Sequence, residues 1–171
     1  SSASTAANAD IITGFVTGTD FLNGDALANG GATANATATT GAINATFAGG
    51  LGATAGTYII STNIADTAGG NTAGTAMTSI LSSTAATLSA NYDALEAQLV
   101  ATGGIFNGTI TGLDAEIAAD ESAYIAIDNG TGSVLMRFVN SDATGNTVTA
   151  AELDLVAVFT DTAALAVADI I

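Results

Sequence analysis

Residues 72–102 carry the clearest helical periodicity in the chain. Met77, Ile80, Leu81, Leu88, Tyr92, Leu95 and Leu99 recur at three- and four-residue spacing, with Thr84 and Ala85 filling the gap in the stripe. That spacing predicts one main helix near 76–102, stopped by Gly103-Gly104. Its first part is rich in Ser and Thr, so the helix is expected to start late or to kink there.

Outside this stretch the apolar residues alternate instead. "DIITGF" at 10–15, "TYIIST" at 57–62, "AYIAID" at 123–128, "SVLMRFV" at 133–139 and "LDLVAVF" at 153–159 all read as strands. "NGTG" at 129–132 separates two of them, which is a strong hairpin signal because Asn-Gly supplies the positive φ a tight connection needs. "TAAE" at 149–152 matches a capping box, yet it leads straight into alternation, so one helical turn followed by a strand is expected. "TANATATT" and "AINATFAG" within 32–57 alternate well enough for further strands, with a low-complexity stretch as the alternative. The expected fold is mainly β (α+β): a β-sandwich or open β-roll of about six to eight strands, with the helix over one face or capping one end. Residues 1–9, "SSASTAANA", read as a flexible or partner-ordered tail, and residues 10–171 as one domain.

Charge narrows the function classes. There are 16 acidic residues against one basic residue, Arg137, and no histidine, for a net charge of −15. One arginine cannot serve that many carboxylates, so self-repulsion must be screened by salt or neutralised by bound cations. Nucleic acid is excluded as a partner, because phosphate binding needs lysine and arginine. An anionic membrane surface is disfavoured for the same reason, and no window approaches the length of an apolar membrane span. The absence of cysteine removes disulfides and thiolate metal sites. The absence of proline leaves the turns to Gly, Asn, Asp, Ser and Thr.

The catalytic inventory is thin. Without His, Cys or Lys there is no ordinary base near neutral pH, no Schiff-base amine and no Ser–His pair. What remains is paired carboxylates: Asp93/Glu96, Asp114/Glu116, Asp120/Glu121 and Glu152/Asp154. Two carboxylates suffice for glycoside hydrolysis, but sugar sites usually add aromatic platforms, and the chain has no tryptophan. Solvated surface acids are the plainer account of each pair. Calcium is the metal this composition suits, since it takes carboxylate and carbonyl oxygens on flexible Gly/Asn/Asp loops. The candidate ligands are Asp10, Asp20, Asp25, Asp128 and Asp142, in loops running 20–25, 128–131 and 142–146; an Asx turn is the alternative for each.

Both ends of the chain resemble one family. In "ADIITGFVTGTDFL" (9–22), Asp10, Ile12, Phe15, Gly18, Asp20 and Leu22 fill the pattern D-x-I-x-x-F-x-x-G-x-D-x-(I/L). That pattern closes the β-roll of repeats-in-toxin (RTX) proteins; Phe21 stands where the family often has lysine. Residues 121–171 carry a Y-x-x-x-D-x-G-x-G hairpin (Tyr124, Asp128, Gly130, Gly132), an A-A-E-L-x-L-V strand (150–156) and an acid-plus-apolar end, Asp169-Ile170-Ile171. They resemble the C-terminal region of bacterial type I-secreted, calcium-binding surface proteins. The resemblance implies that Asp169, Ile170 and Ile171 belong to an uncleaved secretion signal read by the type I machinery. It also implies folding outside the cell with Ca2+; no basic, then apolar, leader opens these residues, and the resemblance accounts together for that, the missing cysteine and the excess acid.

The expectation is therefore a non-enzymatic, extracellular or cell-surface bacterial structural protein that self-associates into a homo-oligomer or polymer, with calcium assisting. The first alternative is a C-terminal secretion and cap module of a larger surface adhesin; a carboxylate-only glycoside hydrolase is a minor one.

Overall fold

A computed structural model describes residues 9–22, 57–66, 70–102, 104–106, 122–139, 148–166 and 169. The elements in chain order are β1 (Asp10–Ile12), β2 (Thr57–Asn63), α1 (Ala73–Leu81), α2 (Leu88–Val100), β3 (Ser122–Asp128), β4 (Ser133–Val139), a 3-10 turn (Ala150–Glu152) and β5 (Leu153–Phe159). The fold class is α+β. One sheet orders its strands β1-β5-β4-β3-β2. β3–β4 and β4–β5 pair antiparallel, whereas the two outer strands pair parallel, β1 with β5 and β2 with β3. The strands expected within 33–49 and the turn at 140–146 lie outside the described residues.

β4 is the middle strand of the five, which explains its near-continuous apolar run. Val134, Met136 and Phe138 enter the core on one face of the sheet, and Leu135 enters a second cluster on the other. β5 alternates, but with a fault. Its register to β4 steps from Leu135↔Ala157 to Met136↔Leu155, so Val156 is one residue too many. This bulge places Val156 and Ala157 against the same second cluster and re-phases the strand, so Leu155 and Val158 both reach the first.

The helices cover the first face. Met77 and Ile80 of α1 and Tyr92, Leu95 and Leu99 of α2 are fully buried against Ile125, Ile127, Val134, Met136, Phe138, Leu153 and Val158. Each such side chain contributes about 1.5–3 kcal/mol over exposure.

The single helix expected near 76–102 is in fact two. The periodicity continues in phase, but residues 82–87 form a turn, and Thr84 and Ala85 are exposed rather than part of the stripe. The cause is hydroxyl competition for backbone carbonyls. Ser82 and Ser83 donate side-chain bonds to the Ser79 carbonyl (3.0 and 3.3 Å), and their N–H groups fall back to i−3 acceptors, Ser79 and Ile80. Thr84 N–H then donates to Thr87 Oγ1 (3.0 Å), starting the second helix.

The helical hairpin is stitched at both ends. Asn91 Nδ2 donates to the Ser79 carbonyl (3.1 Å) and Ser83 Oγ (2.8 Å). Buried Asn71 donates to the Gln98 carbonyl (2.8 Å) and accepts from Ala73 N–H (3.1 Å). Asp66 reaches across to the first turn of α1, where it accepts from Thr75 N–H (2.8 Å) and Thr75 Oγ1 (2.7 Å). Those bonds hold its carboxyl below the usual carboxylate range.

Candidate functional site

The two segments singled out by sequence meet on the second face of the sheet. β1 lies parallel to β5, pairing Asp10 with Ala157 and Ile12 with Phe159. Phe15 packs edge-to-face on Phe159, with ring centroids 5.1 Å apart at 73°. Ile12, Phe15 and Leu22 pack beside Ala126, Leu135, Phe159 and Leu165. Ile12 and Phe15, two apolar positions of the closing pattern, thus pack against the second cluster.

Polar bonds then fix the segment over residues 13–22. Asp161 accepts the Gly14 N–H with both carboxylate oxygens (3.0 and 2.8 Å). Thr162 Oγ1 donates to the Phe15 carbonyl (3.1 Å), while the Thr162 carbonyl accepts from buried Ser133 Oγ (2.8 Å). Asp20 accepts the Val16 N–H (2.8 Å), closing its own turn, and Gly18 sits within it at φ 75°. Asp169 completes the closure. It is fully buried; Oδ1 accepts from Gly18 N–H (2.7 Å) and Oδ2 from Ala166 N–H (2.6 Å). Its backbone carbonyl accepts from Leu22 N–H (2.6 Å).

The calcium candidates fall into different roles. Asp10 is exposed at the start of the edge strand. Asp20 holds the Val16 turn. Asp128 ends β3 and is buried, and it accepts the Gly130 N–H (2.9 Å), as an Asx turn of the hairpin requires. Gly130, at φ 80°, is the hairpin residue whose positive φ the Asn-Gly signal anticipates. Asp25 and Asp142, like Ile170 and Ile171, lie outside the described residues. Among the described residues no group of three or more metal-binding side chains comes together.

The carboxylate pairs behave differently. Asp114/Glu116 and Asp120/Glu121 lie outside the described residues. Asp93/Glu96 lie on α2, Glu152 ends the 3-10 turn and Asp154 lies on β5; Asp93 and Asp154 both act on Glu96. Glu152 accepts from Thr149 N–H (2.8 Å) and Thr149 Oγ1 (3.0 Å), which realises the predicted capping box. Glu96 is the unusual one. It is 8% exposed, and its Oε1 is buried without a hydrogen-bond partner. Burial pushes its carboxyl up to about 7, repulsion from Asp93 and Asp154 adds to the rise, and the Tyr92 hydroxyl opposes it. A carboxyl raised toward neutrality among other carboxylates is an ingredient of general acid catalysis.

Asp161 is not marked as a special position by the sequence, and Glu96 is marked only as half of the Asp93/Glu96 pair, not as a buried carboxyl. Thr160-Asp161-Thr162 after a strand reads as an ordinary turn. Glu96 differs from its helical neighbours only in standing among Tyr92, Leu95 and Leu99. The chain matches no protein-family model, no curated protein and no solved structure.

Proposed function

We propose that this chain is a non-enzymatic, extracellular bacterial structural protein that self-assembles into a surface layer, matrix or filament, with calcium assisting. The observation that carries this reading is the use made of its acids. Asp20, Asp128, Glu152, Asp161 and Asp169, in a chain with one base and no histidine, accept backbone N–H groups and so maintain the fold. An open sheet with outer strands β1 and β2, bearing exposed Val16 and Phe21 beside β1, suits addition of a strand from a neighbour. Calcium enters as a counter-charge to −15, with Asp10 exposed and Asp25 and Asp142 the remaining candidates.

Imaging the purified protein with calcium and with a chelator is the test. Ordered assemblies that dissolve on chelation are expected; a strictly monomeric chain at high concentration and high calcium would sink the proposal.

One observation favours the alternative, a secretion and cap module of an RTX-like surface adhesin exported by the type I route. Asp169, the acid of the terminal motif, clamps the segment that resembles the RTX closing pattern. A native gene product much longer than these 171 residues, with the repeats ahead of residue 9, would support it over the first reading.

A further inference from the structure

Glu96 lies within the buried face of α2, alongside Leu88, Tyr92, Leu95 and Leu99. Tyr92, Leu95 and Leu99 are fully buried, so a carboxylate there is flanked by apolar surface along the helix. One of its oxygens has no hydrogen-bond partner. It also stands one turn from the C-terminal end of α2, where the helix dipole disfavours negative charge.

The surrounding ionisable groups mostly oppose the charge: Asp93 and Asp154 repel it, and the Tyr92 hydroxyl alone favours it. On α2 itself they are Tyr92 and Asp93. The 3-10 turn brings Glu152, whose carboxylate is engaged by Thr149, and β5 brings Asp154. α1 contributes no ionisable side chain. Arg137 on β4 alternates with Met136 and Phe138, the residues that meet the helices, and lies directly across the ladder from Asp154, so it shares Asp154's face of the sheet and is not among the groups that act on Glu96. Among the described residues, no base faces Glu96.

We propose that Glu96 is a proton-operated latch on the helical cover: in its acid form it seats α2 on the sheet, and loss of the proton loosens α2 and uncovers the Tyr92–Leu95–Leu99 row. A carboxylate with one oxygen buried without a partner, and with no cation facing it, cannot stay in that row without drawing in water or moving out, and α2 is joined to its neighbours by a short turn and side-chain stitches rather than by a sheet ladder. Burial first, then Asp93 and Asp154, hold the carboxyl at about 7, so the latch works in the neutral range. The expected sign is greater looseness at higher pH, because the folded form binds the proton more tightly than the unfolded chain does.

Amide hydrogen exchange, corrected for intrinsic rates, tests this on wild type and Glu96→Gln at about pH 5.5 and about pH 8.5. Protection across α2 should fall about tenfold or more in wild type between the two conditions and less than about twofold in the variant. Protection in β4 and β5 should hardly change in either. The same pH dependence in both proteins, or a loss spread evenly over α2, β4 and β5, would overturn the latch in favour of general charge repulsion. Should Glu96→Gln fail to fold, carboxyl-carbon NMR titration of wild type decides: a Glu96 midpoint near 7 supports the latch, and one near 4.5 overturns it.

Discussion

Asp169 shows how much one side chain can hold. Both carboxylate oxygens and the backbone carbonyl accept N–H groups, from Gly18, Ala166 and Leu22, and the residue is fully buried. Asn in its place keeps the shape but turns one acceptor into a donor facing an N–H. Asp169→Asn should cost about 1–3 kcal/mol by chemical denaturation, with loss of hydrogen-exchange protection at Gly18. Glu96 should move stability in the other direction. Its carboxyl rises from 4.5 to about 7 on folding, so its favourable contribution is complete below 4.5 and is lost as pH climbs through 7. At about 1.4 kcal/mol per unit, roughly 3 kcal/mol separates the two limits. Glu96→Gln should therefore match wild type within about 1 kcal/mol near pH 4 and exceed it by about 2–3 kcal/mol near pH 8, read from thermal or urea unfolding. At this scale the sequence discloses residue types but not surroundings. Asp20 and Asp128 were legible as turn carboxylates because their partners lie within four residues. Asp161 and Asp169 were not, because each has a partner about 150 positions away.

The elements were more legible than the residues. The hairpin at 122–139, the capping box at 149–152 and the last strand all form where alternation and turn chemistry put them. The apolar stripe at 77–99 was legible too, yet it belongs to two helices. Periodicity records only that Ile80 and Leu88 share a face; it says nothing of the Ser and Thr hydroxyls that divert the carbonyls between them. Asn91 is the residue that reads both helices, and Asn91→Ala should lower stability by about 1 kcal/mol, with the loss of protection confined to 79–91. Gly132 controls how closely the hairpin loop approaches α1 and β5. A Cβ there would sit 2.6 Å from Leu81 Cδ2 and 2.6 Å from the Phe159 carbonyl oxygen. The leucine can swing away but the carbonyl belongs to a paired strand, so Gly132→Ala should cost about 1–3 kcal/mol, measured by thermal unfolding.

For the whole molecule, the decisive feature is the sheet order. Arg137 stands in the middle strand, paired on both sides, and it is the one trypsin site in the chain. The folded protein should survive trypsin, whereas the denatured chain should yield two pieces, 1–137 and 138–171, by mass spectrometry. By itself the sequence determined the local elements and the acid excess, 16 acidic residues against one arginine. It did so because periodicity, turn residues and charge are properties of neighbours along the chain. Only the tertiary structure decided that β1 lies parallel to β5, that a bulge at Val156 re-phases the last strand, and that Asp169 closes over Gly18. It also decided that Glu96, one acid among 16, is buried without a full set of partners. Each of these depends on which distant segments share a surface, and the packing of two faces of one sheet settles that.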